Sequence, residues 1–167
     1  IASRTAKHIT EKMDEDPVFY KKFSQLIRQA IDDFYAERIS ELEYLERMND
    51  YKEKVLNKTD TNIPKRIRGN QTLSAYFGIV NEFFENAEVN TLQYENELVE
   101  ASIAADKIIE SKKQVNWETN QDIINQMRLE IGDYIYDEIG VKMGLRLNFD
   151  AIDEMAERII DVAKTRG

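Results

Sequence analysis

Residues 16–38 read DPVFYKKFSQLIRQAIDDFYAER, and this stretch decides the fold class. Asp16 followed by Pro17 is a common start of an α-helix, because the aspartate can cap a free backbone N–H and proline has none to leave unpaired. Apolar residues then recur every three or four positions, at Phe19, Phe23, Leu26, Ile27, Ala30, Ile31 and Phe34. This spacing predicts one wide apolar face on a helix that ends near Arg38.

The stretches on either side of this helix also predict helices. Ser40 and Glu43 form a capping box, in which each side chain can accept a hydrogen bond from the other residue's backbone N–H. The helix that they begin has an apolar stripe at Leu42, Leu45, Met48, Tyr51 and Val55. Only a few residues separate it from the preceding helix, so the two are expected to form an antiparallel hairpin. With a short helical segment at 2–14, they make up a helical hairpin region at 1–56.

Residues 57–72 are the clearest break in the helical periodicity, because turn-forming residues are frequent there. Against one acid, Asp60, this basic loop carries the four cations Lys58, Lys65, Arg66 and Arg68. The whole chain has a formal net charge of -9, so a basic segment is the exception. A contact with nucleic acid or with an acidic protein is one interpretation, and pairing with the chain's own acids is the other.

Residues 73–167 predict a helical bundle. Apolar spacing places its helices at about 73–86, 91–112, 120–140 and from Asp150 onward. The third of these is expected to end at Gly140 and Gly144, since glycine tolerates the left-handed turn at a helix C-terminus. A strand is considered only for 145–149. The sequence thus predicts an all-α fold, an irregular bundle of about six to seven helices, mostly antiparallel neighbours, in a single domain over 1–167.

Two aromatic features allow more than one interpretation. Four aromatic residues group on the helix at 73–86, at Tyr76, Phe77, Phe83 and Phe84. Core packing is the first interpretation of this group, and a surface for a partner is the alternative. Trp117 lies in a loop at 114–119, where it can plug the joint between two helices or anchor a partner protein.

The sequence lacks the residues that common catalytic sites need. It has no cysteine and a single histidine, His8, so a cysteine nucleophile, a histidine dyad and a histidine-rich metal cluster are excluded. Neither GxxxxGKS/T nor GxGxxG occurs, so nucleotide binding is not expected. Asp106, Glu110 and Lys112 imitate the spacing of metal-dependent nucleases, but such acids converge from adjoining strands and these lie on one helix. We therefore expect no catalytic, cofactor-binding or metal site in this chain.

Three blocks of the sequence carry a family resemblance. The first runs from Asp16-Pro17-Val18-Phe19-Tyr20 to Arg38-Ile39-Ser40-Glu41-Leu42-Glu43-Tyr44-Leu45. The second runs from Ile63-Pro64 through Arg68-Gly69-Asn70 to Ala75-Tyr76-Phe77-Gly78. The third runs from Val115-Asn116-Trp117 through Asn120, Ile124, Asn125, Met127-Arg128 and Asp133-Tyr134 to Ile152-Asp153 and Val162-Ala163-Lys164. In order and spacing, these blocks resemble the C-terminal helical region of the R subunit of type I restriction enzymes.

The resemblance implies a division of labour within a larger enzyme. The family's R subunit has an N-terminal nuclease domain and two RecA-like motor domains, which translocate DNA with ATP and Mg²⁺. These domains would precede Ile1, and the chain's start without a methionine, directly before a predicted helix, fits a piece of a longer protein. The C-terminal region is associated with assembly. The implied partners are the methyltransferase core of M and S subunits and the upstream motor domains of the same chain.

The expected function is therefore a non-catalytic assembly module that meets DNA only through its parent complex. The alternative is an auxiliary DNA-contact module that uses the basic loop at 58–68. The candidate contact residues are Lys58, Lys65, Arg66, Arg68 and Trp117. No apolar run is long enough to span a bilayer and the absence of cysteine fits the cytoplasm, so a cytoplasmic protein without a membrane segment is expected.

Overall fold

The computed structural model describes residues 1–59 and 62–166, and the chain divides into two compact units, one ending at residue 62 and the other beginning at residue 63. Seven α-helices and no strand lie in the described residues, which confirms the predicted all-α fold of six to seven helices. The sequence predicts one domain over 1–167, and the division falls inside the loop predicted at 57–72. Asp60, the acid predicted in that loop, lies outside the described residues.

The first unit consists of three helices. They are α1 (Ala2–Lys12), α2 (Pro17–Tyr35) and α3 (Glu41–Asn57), with a 3₁₀ turn at Met13–Glu15 between the first two. α2 and α3 pack against each other across a short connection, as an antiparallel hairpin does. α2 ends earlier than the predicted Arg38, because the chain turns at Glu37, which has a left-handed backbone (φ 58°).

Both N-caps predicted for the hairpin are present, but the second bond of the predicted capping box is not, because the Glu43 carboxylate accepts from Arg47 instead of the Ser40 N–H. The Asp16 carboxylate accepts a hydrogen bond from the Phe19 backbone N–H at 3.3 Å. The Ser40 hydroxyl accepts one from the Glu43 N–H at 3.1 Å. Each bond pairs a backbone donor that the helix itself leaves free, so the start of each helix is fixed by residues three apart in sequence.

The core of the first unit lies among these three helices. Its buried side chains are Ile9, Phe19, Tyr20, Phe23, Ile27, Ala30, Met48 and Val55. α3 faces this core at spacings of four, three and four residues, with Tyr44, Met48, Tyr51 and Val55. The prediction that Leu42 and Leu45 share this face is wrong, because their exposed fractions are 67% and 42%. Each residue advances a helix by about 100°, and both leucines lie roughly a third of a turn away from the core side.

The second unit contains four helices in a closed ring of contacts. They are α4 (Gln71–Asn86), α5 (Glu95–Lys112), α6 (Gln121–Tyr134) and α7 (Phe149–Thr165). α4 and α6 each pack against both α5 and α7. Ion pairs connect neighbouring helices of this unit. Lys112 with Glu130 connects α5 to α6, Arg128 with Glu157 connects α6 to α7, and Arg158 with Glu82 connects α7 to α4. Within the described residues, no helix is both long and apolar enough to cross a bilayer.

The connection from α6 to α7 differs from the prediction. The chain continues beyond α6 as a π-helical segment, Ile135–Val141, so Gly140 does not end the helix. Gly140 is buried instead, and a Cβ built on it would lie 2.8 Å from Cδ1 of Leu147. Gly144 makes the left-handed turn, with a φ of +66°. Residues 145–149 do not form a strand: Leu147 is buried, Asn148 caps α7, and Phe149 is already the first residue of that helix.

Candidate functional site

Lys58, the first predicted contact residue, belongs to the first unit and is an internal partner of α2. It follows α3 in a left-handed conformation (φ 53°), and its Nζ lies 2.5 Å from Oδ2 of the buried Asp16. The same ammonium group lies 4.2 Å from the centroid of the Phe19 ring. The Lys58 side chain is only 16% exposed, so its charge stabilises the junction of α2 and α3.

The other three cations lie in the second unit, on a turn before α4. Buried Ile67 holds this turn to the unit. Arg66 forms an ion pair with Glu100 of α5, and Arg68 donates two hydrogen bonds to the Ile63 carbonyl, at 2.8 and 3.2 Å. Lys65 is exposed and forms no ion pair with the described residues. Pairing with the chain's own acids thus holds for Arg66, as for Lys58, while the DNA contact stays a prediction.

Trp117 lies in a 3₁₀ turn between α5 and α6 and is only 3% exposed. The Lys113 ammonium group lies 5.9 Å from its ring centroid. Its indole Nε1 is buried and has no hydrogen-bond partner among the described residues. This geometry fits a plug at the joint of two helices, and it leaves little of the indole surface for a partner to contact.

The nuclease-like spacing on α5 does not bring its three residues together. Lys112 pairs with Glu130 of α6 at 3.2 Å, whereas Glu110 pairs with Lys113 at 2.7 Å. Burial raises the pKa of the Asp106 carboxyl above its ordinary value of 3.8, and the nearby charge of Glu110 raises it further. Across residues 1–59 and 62–166, no group of three or more acids and histidines is arranged to hold a metal ion.

The raised pKa of Asp106 leads to a test of the second unit's electrostatics. Asp106→Asn is expected to increase the free energy of unfolding near neutral pH, because a carboxyl with a raised pKa destabilises the folded state wherever it is ionised. This gain should shrink as the pH falls through the raised pKa and vanish below 3.8, where the carboxyl becomes protonated in the unfolded state as well. Thermal unfolding followed by Trp117 fluorescence measures it. A gain that is independent of pH would contradict the electrostatic cause.

A cavity of about 370 Å³ lies between the end of α4 and the start of α7. Phe83, Leu147 and Met155 give it an apolar floor, and the rim carries Arg146, Glu154 and Arg158. This volume is near the lower end for ligand pockets. The lining can admit a small group with apolar and charged parts. Sequence reasoning missed it, because its walls come from helices that are distant in sequence.

A second apolar stripe on α3, the leucine stripe, remains exposed to solvent. It consists of Leu42, Leu45 and Leu56, with exposed fractions of 67%, 42% and 56%. The stripe lies beside the core-facing side of the helix but makes no part of the core. Exposed apolar patches on a folded protein often mark a surface for another protein. The signal in the sequence was the presence of more apolar positions on α3 than one face can hold.

The acids of α3 divide into those with an ion pair and those without. On the side away from the leucine stripe, Glu43 pairs with Arg47 at 2.8 Å and Asp50 pairs with Lys54 at 2.9 Å. Arg47 also reaches Asp33 of α2 at 3.3 Å. Hydrogen bonds from Gln29 and from two arginines lower the pKa of the Asp33 carboxyl, which burial opposes. The charges on this side are therefore neutralised within the hairpin.

The edge of the leucine stripe has a different electrostatic character. Glu46 and Glu53 lie within about 40° of Leu42 around the helix axis and are exposed. Neither forms an ion pair with any residue that the structure describes. Lys52 and Glu41, which lie about 20° apart on the opposite edge, also have none. The stripe thus has leucines towards both ends, the polar Asn49 between them, and one acidic edge that no cation of the described residues neutralises.

Comparison with protein-family models, curated proteins and solved structures finds no match to this chain.

Proposed function

We propose that this chain is the non-catalytic C-terminal assembly module of the R subunit of a type I restriction enzyme. In this proposal it docks the motor subunit onto the methyltransferase core of M and S subunits. The DNA-translocating motor and the nuclease, with their ATP and Mg²⁺, belong to domains upstream in the parent chain. The three-block resemblance supports the parentage, and the leucine stripe on α3 supports a docking role.

The leucine stripe carries this proposal because its exposure is unfavourable in the isolated chain. Complete burial of an exposed leucine side chain contributes roughly 1.5–3 kcal/mol. A partner that covers Leu42, Leu45 and Leu56 gains about half of this from each, because their exposed fractions are 67%, 42% and 56%. A few well-buried anchors commonly provide most of the binding energy of an interface.

The test is retention of the methyltransferase core by this chain. The immobilised chain is expected to retain the M/S core, and the free chain should compete with full-length R subunit for it. Circular dichroism of the same preparation establishes that the chain is folded. If a folded chain neither retains the core nor competes at micromolar concentration, the assembly role is refuted.

A further inference from the structure

We propose that the leucine stripe binds an amphipathic helix whose apolar residues are flanked by lysine or arginine. This inference rests on the docking function and names the chemistry of the partner. It commits the contact to α3 of the first unit and to a helix as the bound element.

The leucine stripe has the dimensions of a helix-binding surface. Leu42 and Leu56 are about 21 Å apart along the axis of α3, which is about four helical turns. Asn49 lies midway between them, seven residues from each, and is exposed. The leucines are spaced three and eleven residues apart, which returns all three to one side of the helix, and anchors so placed can pack against matching anchors on a second helix. A polar residue in the middle of such a seam restricts the partner's register.

The acidic edge specifies the charge of the bound helix. Glu46 and Glu53 flank the stripe and are not neutralised by the hairpin, whereas Lys52 and Glu41 on the other side have opposite charges. Residues flanking an apolar seam determine the choice of partner through ion pairs across it. A helix with lysine or arginine opposite the two glutamates forms such pairs, and an acidic helix is repelled.

A second copy of this chain fits the leucine stripe poorly. Its own α3 would bring the same unpaired glutamates close to those of the first copy. The net charge of -9 on each chain adds a further repulsion at low ionic strength. The charge distribution therefore favours a different, basic partner.

The direct test uses two helical peptides with the same leucines. Both have about three heptads with leucine at the seam, and they differ only in lysine or glutamate at the flanking positions. The chain is expected to bind the lysine-flanked peptide at least about tenfold more tightly than the glutamate-flanked one in titration calorimetry. Binding of neither peptide, or equal binding of both, overturns the inference. This result does not depend on the M/S core, so the assembly role can fail separately.

Substitutions on α3 locate the binding site. Leu42→Gln with Leu45→Gln should weaken binding of the lysine-flanked peptide, and of the M/S core, by at least about tenfold without changing charge. Leu129→Gln is the matched control, because Leu129 on α6 is 57% exposed and should be neutral. Equal effects of the two sets would place the site elsewhere and overturn the inference.

Charge reversal distinguishes attraction of a basic peptide to the two glutamates beside the stripe from its attraction to the net negative charge of the whole protein. Glu46→Lys with Glu53→Lys should weaken binding by about tenfold and flatten its dependence on salt. Asp133→Lys with Asp137→Lys changes the net charge equally at exposed positions of the second unit and should have a much smaller effect. If the leucine variants fail to bind but the charge-reversed protein binds normally, the basic flank is wrong. A dimer in light scattering that Leu42→Gln dissolves would instead identify a second copy as the occupant.

Discussion

Replacement of Phe84 by alanine is expected to lower the free energy of unfolding of the second unit by about 3–5 kcal/mol. Phe84 on α4 is 0% exposed, and its ring lies edge-on to Phe83 at 5.0 Å between centroids. The variant loses the burial of a whole aromatic side chain. It also leaves a cavity that the four surrounding helices cannot close completely. Urea unfolding reports the change through Trp117, the chain's single tryptophan, which is buried in the same unit.

Phe83 provides the matched control for this substitution. It is adjacent in sequence and equal in size, but it is only partly buried and already borders the cavity between α4 and α7. Phe83→Ala is therefore expected to have less than half of the effect of Phe84→Ala. Equal effects of the two variants would contradict the core position of Phe84. Tyr76, Phe77 and Phe84 are 1%, 6% and 0% exposed, so core packing, the first interpretation of this aromatic group, is confirmed for three of its four members.

Replacement of Asp16 by alanine is expected to destabilise the first unit by about 2–4 kcal/mol. Asp16 is 4% exposed and has two functions, as N-cap of α2 and as ion-pair partner of Lys58. Loss of a cap costs about 1 kcal/mol. The larger effect comes from Lys58. Its mostly buried ammonium group lies beside the Phe19 ring and would lose the Asp16 carboxylate as its counter-charge. Hydrogen exchange of the α2 and α3 amides measures the loss.

Two further variants divide the effect of Asp16 into its parts. Asp16→Asn keeps a cap and removes the charge, so it isolates the ion pair. Ser40→Ala removes the corresponding cap of α3, which is exposed and without an ion pair, and should cost about 1 kcal/mol. If Asp16→Ala costs no more than Ser40→Ala, the pair with Lys58 contributes nothing, and Lys58 regains its place among the candidate contact residues.

The predictions of local structure succeeded where a few neighbouring residues contain the whole interaction. The caps at Asp16 and Ser40 join atoms three residues apart, so the sequence alone locates the starts of α2 and α3. Gly144 is another such case, since its left-handed turn is a local property of the backbone. Gly140 was predicted to do the same, but its role depends on contact with Leu147, which only the folded chain brings close.

The sequence could not show which of the predicted contact residues are free to bind a partner, because the pattern of charges along a chain does not reveal which charges meet in the fold. Lys58 and Arg66 look alike in the basic loop, but their partners are Asp16, far away in sequence, and Glu100 on α5. The sequence contains acids in abundance and does not indicate which of them is near. Trp117 shows the same limit, because both a plug and an anchor require an aromatic residue between two helices.

By itself, the sequence determined that this protein is helical and where most of its helices start. Helical periodicity and end caps depend only on residues a few positions apart. It also carried the resemblance from which the assembly role is proposed. Only the tertiary structure decided which of the apolar residues on α3 are buried. α1 and α2 cover the side of α3 with Met48 and Val55, and they leave Leu42, Leu45 and Leu56 exposed. A helix alone does not fix this choice, because it depends on where its neighbours pack.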